Sequence, residues 1–205
     1  MKFYNSEDIA SEFNVKNESE PIVKFIKKNF KYLQPIDDIE FYSNGFYNNV
    51  FKIKGKDLIL KIGAPNTSKM VEYYKKIMDL QKQGKFNSFA KMHYFEYLKK
   101  SNLMLIIQDM YAPAKTIEQF NKVRIKYFIE DLYTRAERIL AYNPTKEQFF
   151  SVIKTGTARN PMGEKYLDQY LNIIWDFYEN GINSYDFHLG NIMLDKNNNL
   201  VAVDF

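Results

Sequence analysis

The chain has 205 residues, 45% of them hydrophobic and 17% aromatic, no cysteine and a formal net charge of +4. That length and apolar fraction hold one sizeable core or two small lobes and exclude a disordered chain. The missing cysteine removes disulfides, thiolate zinc sites and Cys nucleophiles together, and the Lys residues are scattered, so a nucleic-acid surface has no support. The start, Met1-Lys2-Phe3-Tyr4-Asn5-Ser6-Glu7-Asp8, has no apolar signal core, and no apolar run reaches membrane-spanning length. The expectation is a cytoplasmic protein that does not engage a membrane.

Residues 1–35 read as a helical extension. Ser19-Glu20-Pro21 suits a helix start, and Ile22, Phe25, Ile26 and Phe30 recur at helical spacing. At Ile36 the period changes. Ile39–Tyr42, Val50–Ile53 and Leu58–Ile62 read as three short antiparallel strands, joined by turns at Ser43-Asn44-Gly45 and Gly55-Lys56-Asp57. The glycine in the first turn permits close backbone approach, and free N–H groups there suit an anion. Alternation turns Lys61 to the face opposite Leu60 and Ile62. A solvent-facing lysine is the plain alternative, since Lys52, Lys54 and Lys56 lie nearby.

Ser68–Gln83 reads as a helix stopped by Gly84, with Met70, Tyr73, Tyr74, Ile77 and Leu80 on one side. Glu72, the one glutamate between Lys61 and Glu96, falls nearly opposite that stripe. Phe89–Tyr97 and Leu103–Met110 read as two more strands, the second a nearly continuous apolar run buried on both faces. Ile117–Tyr142, Lys146–Lys154 and Gly163–Glu179 read as helices, with Leu167, Tyr170, Leu171, Ile174, Phe177 and Tyr178 lining one side of the last. Arg159, in the loop between the last two, reads as a solvated side chain that could reach a phosphate.

The tail carries the most chemistry. Asn180-Gly181-Ile182 ends the last helix, then comes Asp186-Phe187-His188-Leu189-Gly190-Asn191, then a hairpin of Ile192-Met193-Leu194 and Leu200–Val203 that delivers Asp204-Phe205. Asp186, Asn191 and Asp204 are oxygen-bearing side chains in and beside one hairpin.

That wording resembles the catalytic loop and the Asp-Phe-Gly start of the protein-kinase-like superfamily. It is closest to the aminoglycoside phosphotransferase and choline kinase branch, whose usual form is Asp-x-His-x-x-Asn. The turn Gly45-x-x-Asn48-x-Val50-Phe51 and the helix exit Gly181-Ile182 resemble the same branch. The implied fold is α+β, a protein-kinase-like two-lobe fold: a helical extension (1–35), a small antiparallel β-sheet N-lobe (36–111) and a mostly helical, shortened C-lobe (112–205). The implied activity is ATP-dependent, Mg²⁺-assisted transfer of the γ-phosphate to a hydroxyl of a small molecule or protein.

Under that resemblance Asp186 accepts or orients the acceptor proton, and Asn191 and Asp204 are the Mg²⁺ ligands. Lys61 holds the α- and β-phosphates, and Gly45 and Asn48 lie in the phosphate loop. Backbone groups of Asp109 and Tyr111 read the adenine edge, with Gln108 before them. Glu72 stands in for the glutamate that pairs with the strand lysine. His188 either donates to the γ-phosphate or holds the loop. The pattern also departs from the family. Ser184-Tyr185 replaces His-Arg, the glycine loop is reduced, and no glycine follows Phe205. These departures lead to the expectation that a second chain completes the C-lobe. They also leave an alternative: a non-catalytic kinase-like module that binds nucleotide or a partner protein.

Overall fold

A computed structural model describes residues 39–44, 48–100, 102–114, 123–157, 160–182 and 187–204. The expected helix over 22–30, the turn at Gly45, the first residues (117–122) of the helix expected over 117–142, Arg159, Asp186 and Phe205 lie outside the described residues. The fold is α+β. Its residues divide into two compact units, one running through Lys85 and then Lys91–Met110, the other comprising Phe86–Ala90 and Tyr111–Phe205.

The first unit is a five-stranded antiparallel sheet with one helix. Strands β1 (Ile39–Asn44), β2 (Asn48–Ile53) and β3 (Leu58–Gly63) precede helix α1 (Ser68–Lys82), and β4 (Met92–Leu98) and β5 (Leu103–Asp109) follow it. The spatial order is β1-β2-β3-β5-β4. β5 lies between β3 and β4, and all of Leu103 through Gln108 is buried, as the continuous apolar run required. Thr67 caps α1 by accepting the Met70 N–H, and Met70, Val71, Tyr74 and Ile77 are its buried face. The register runs Phe95↔Ile106↔Lys61↔Val50, so these four side chains lie in one row on one face of the sheet. Phe95 stacks on Tyr74 with centroids 5.7 Å apart, so α1 packs on that same face.

The second unit holds helices α2 (Val123–Leu140), α3 (Lys146–Thr155) and α4 (Glu164–Glu179) and a three-stranded sheet in the order β6-β7-β8. Strands β7 (Ile192–Leu194) and β8 (Leu200–Ala202) form the expected hairpin, while β6 (Ala112–Pro113) joins β7 without a periodic signal of its own. Its core is aromatic. Phe177 meets Phe86, Phe89 and Phe187 at 5.1, 6.0 and 4.7 Å, and Phe149 meets Trp175 at 5.6 Å.

The strand expected from Phe89 begins instead at Met92. Phe86 and Phe89 leave the sheet's unit to pack on α4, and Phe89 bridges Ala202 in parallel, with Ala90 N–H donating to the Ala202 carbonyl at 2.7 Å and Ala202 N–H to that of Ser88 at 2.8 Å. Apolar spacing marks both residues as buried but not the core they enter.

α4 ends as its Asn-Gly-Ile sequence requires. Gly181 takes φ +58°, the Ile182 N–H reaches back to the Phe177 carbonyl at 2.9 Å, the Gly181 N–H reaches that of Tyr178 at 2.8 Å, and Ile182 is buried. This turn ends the helix five residues before Phe187. No helix among the described residues is long and apolar enough to cross a membrane.

Candidate functional site

Each unit carries part of the expected set. In the first, Lys61 is 4% exposed, whereas Lys54 and Lys56 face solvent. A lysine that deep is held only with a partner for its charge. Asn48 and Gln108 share its face, two residues along β2 from Val50 and two along β5 from Ile106, and both are buried. The Asn48 Oδ1 is buried with no hydrogen-bond partner among the described residues. An amide oxygen left so is costly, which fits a position that meets a ligand's donor.

Glu72 lies on the exposed side of α1, as the helical geometry anticipated, and no ion pair joins it to Lys61 among the described residues. At the end of β5, Asp109 is already engaged. Its carboxylate lies 2.6 Å from His93 Nε2, and its N–H donates to the Lys91 carbonyl at 2.9 Å.

In the second unit Tyr111 is half-buried beside β6. The structure gathers His188, Asn191 and Asp204 through backbone bonds. The Asn191 N–H donates to the His188 carbonyl at 2.9 Å, and the Val203 N–H donates to the Asn191 carbonyl at 2.9 Å. That second bond extends the β7–β8 ladder one step beyond Ile192↔Ala202, which brings Asp204 to the end of the hairpin beside Asn191. An amide oxygen and a carboxylate are the hard donors Mg²⁺ accepts. Among the described residues no group of three His, Cys, Asp or Glu could hold a metal by itself; the amide of Asn191 lies outside that class.

His188 accepts the Gly190 N–H at Nδ1, 2.8 Å away. In the neutral ring this places the proton on Nε2. The ring thus holds the backbone N–H two residues further on. An open pocket of about 430 Å³ borders His188, Leu189 and Gly190, with Lys126 and Glu130 of α2 on its rim.

Sequence reasoning missed the residues that hold this loop. Phe187 is buried, edge-on to Phe177 and 6.3 Å from Tyr133. The Tyr170 hydroxyl donates to the Phe187 carbonyl at 2.9 Å. Burial pushes the Tyr170 phenol far above its ordinary value, so it stays a neutral donor. The adjacent Gln169 clamps the far end of the hairpin, donating to Asn199 Oδ1 at 2.9 Å and accepting the Leu200 N–H at 3.0 Å. In the sequence both look like ordinary members of an amphipathic helix. A polar Gln beside the apolar stripe was the available hint.

Ser88 donates to the Asp176 carboxylate. Burial raises the Asp176 carboxyl above its usual range, against the lowering effect of Ser88 and Lys146. In the hairpin turn, burial would raise Asp195. The Asn199 N–H, the Asn199 amide and the Asn197 N–H outweigh that and, with Lys165, hold it below the ordinary carboxylate value.

An antiparallel sheet with an inserted helix, followed by a mostly helical unit that ends in a hairpin, is the class of α+β architecture the motif resemblance implies. No family model matches the chain, and no curated protein does. Among solved structures it is similar to a mutant of aminoglycoside 2'-phosphotransferase-IIIa in complex with GDP, at 11% identity over 91% of this chain and 71% of that one, with a TM-score of 0.42. The wild-type enzyme with GDP gives 12% identity over 92% and 72%, with a TM-score of 0.40. Aminoglycoside phosphotransferase APH(4)-Ia with AMP-PNP and hygromycin B gives 10% over 90% and 70%, with a TM-score of 0.39. At such identities no residue's role transfers.

Proposed function

We propose that the chain is an ATP-dependent phosphotransferase, moving a γ-phosphate to a hydroxyl of a small molecule or protein. The observation that carries this reading is the 2.9 Å bond from Val203 N–H to the Asn191 carbonyl, which pairs Asn191 with the residue directly before Asp204. Phosphoryl transfer asks mainly for positioning and charge neutralisation, and the residue types suit it. Asp186 takes the acceptor proton on its carboxylate. Lys61 steadies the α- and β-phosphates with its ammonium. Gly45 and Asn48 border the phosphates, and backbone groups of Asp109 and Tyr111 read the base. His188, its Nδ1 occupied by Gly190, offers Nε2–H to the transferred group. Asn191 and Asp204 would hold Mg²⁺, which when bound spreads the charge of the phosphoryl oxygens.

The test is ATP turnover with Mg²⁺ by the wild type, Asp186→Ala and Asp204→Ala. Asp186→Ala is expected to lose turnover. Asp204→Ala is expected to need more than about tenfold more Mg²⁺, by analogy with the cost of lost metal contacts. Wild-type turnover that survives Asp186→Ala unchanged overturns the assignment. The exposed Glu72 favours a second reading, a kinase-like module that binds nucleotide or a partner protein without transfer. It predicts no turnover but a stability gain of about 2.7 kcal/mol with Mg-ATP at 100 times its dissociation constant.

A further inference from the structure

We propose that Tyr170 is a positioning residue for this transfer, acting through the Phe187 carbonyl; the proposal rests on the phosphotransferase reading. Tyr170 is fully buried in α4, and its hydroxyl is 2.9 Å from that carbonyl, 17 residues away in sequence. The carbonyl belongs to the peptide joining Phe187 to His188, and Phe187 directly follows Asp186. The Phe187 ring is already wedged between Phe177 and Tyr133. Ring packing fixes where the side chain sits but leaves the following peptide plane free to rotate. The hydroxyl removes that freedom.

From this peptide the constraint passes along the loop. The His188 carbonyl accepts from Asn191 N–H, and the Asn191 carbonyl accepts from Val203 N–H. One buried O–H thus sets the orientation of a chain of peptides that ends at Asp204. A core role alone would be served by phenylalanine, which is common along this helix's packing partners. Only the oxygen distinguishes Tyr170, and a buried phenol needs a partner to be tolerated.

Tyr170→Phe keeps the ring and removes the donor. Its kcat is expected to fall at least tenfold with the KM for ATP within threefold, because binding groups elsewhere are untouched. Amide exchange at Gly190 and Asn191 is expected to quicken at least tenfold. Tyr178→Phe is the control: on the same helix, its hydroxyl donates to Asn143 at 3.1 Å, away from the loop, and both readouts should stay at wild-type values. Phe187→Leu keeps the Tyr170 donor and loosens the ring, so it should lower Tm while lowering kcat less than Tyr170→Phe does. If Tyr170→Phe does not fold, Tyr170→4-aminophenylalanine replaces it; the weaker N–H donor should reduce kcat at least threefold. A kcat within twofold of wild type for Tyr170→Phe, an unchanged kcat for the amino variant, or a kcat that follows Tm across the variants overturns the proposal. Absence of turnover in the wild type sinks the phosphotransferase reading and the transfer role with it. The exchange measurement then separately decides whether the hydroxyl holds the loop.

Discussion

A Cβ at position 190 would lie 2.5 Å from His188 Cε1 and 2.8 Å from Nδ1. The ring rests against the Gly190 backbone and accepts its N–H there, so an added methyl must displace the imidazole and break that bond. Gly190→Ala is therefore expected to leave thermal stability nearly unchanged while cutting turnover by roughly 10- to 100-fold, the cost of an ångström-scale misplacement. Loss of stability without loss of turnover would contradict the geometry. Asp195 gives a pH prediction of opposite character. Its folded carboxyl lies below the ordinary value, which is near that of the unfolded chain. Its contribution to stability is present above that unfolded value and disappears as pH falls through the folded one. Asp195→Asn should therefore lower stability at neutrality and flatten the acid limb of a denaturant-monitored stability profile, the two profiles converging below about pH 4. At this scale the sequence showed which residue types were present and in what order. It could not show the contact of His188 with Gly190, since a ring's rotamer is set by neighbours two residues away and across the hairpin.

At the scale of elements, periodicity was a good guide wherever one face packs and the other faces solvent. α1, α3 and α4 begin and end within a residue or so of where spacing and caps place them. The β7–β8 hairpin was legible because its Asn-rich turn breaks two apolar runs. Positive φ at Asn198 explains that composition. β6 was not legible, because two residues carry no period. Gly181 is the sharpest case of sequence meeting geometry. Its φ of +58° is the left-handed conformation that ends α4, and a Cβ there is disfavoured. Gly181→Ala should cost about 1 kcal/mol in chemical denaturation. Because Gly181 lies five residues before Asp186 in sequence, the change should also lower turnover more than an equally destabilising change in α3. Lys61 shows where element-level reading stops. Alternation gave its face, but only the row Phe95–Ile106–Lys61–Val50 and the Tyr74 stack show that this is the face α1 covers.

For the whole molecule, the division into two units follows neither a linker nor a change of composition. Residues 86–90 lie between elements of the sheet unit yet belong to the helical one. There Phe89 is buried against Phe177 and pairs with Ala202. Phe89→Ala should cost about 3–5 kcal/mol, the usual range for deleting a buried phenyl ring. Trp175, the single tryptophan and part of the same aromatic core, is the natural reporter. A loss under 1 kcal/mol, followed by its fluorescence, would mean the segment is only lightly held. Two-unit membership of this kind is invisible to a reading that takes the chain in order.

The same segment has a consequence in time. Its partner Ala202 is synthesised about 110 residues after Ala90, which at roughly 5–20 residues per second is a wait of about 6–20 s. Through that interval Phe86 and Phe89 wait for the α4 ring and the β8 strand that shelter them, with their apolar rings still uncovered. Nascent chains arrested before residue 200 should therefore stay open to proteolytic cleavage at residues 86–90, and full-length chains should not. Chains released at low temperature, where synthesis slows further, should lose more material to aggregation than their final stability implies.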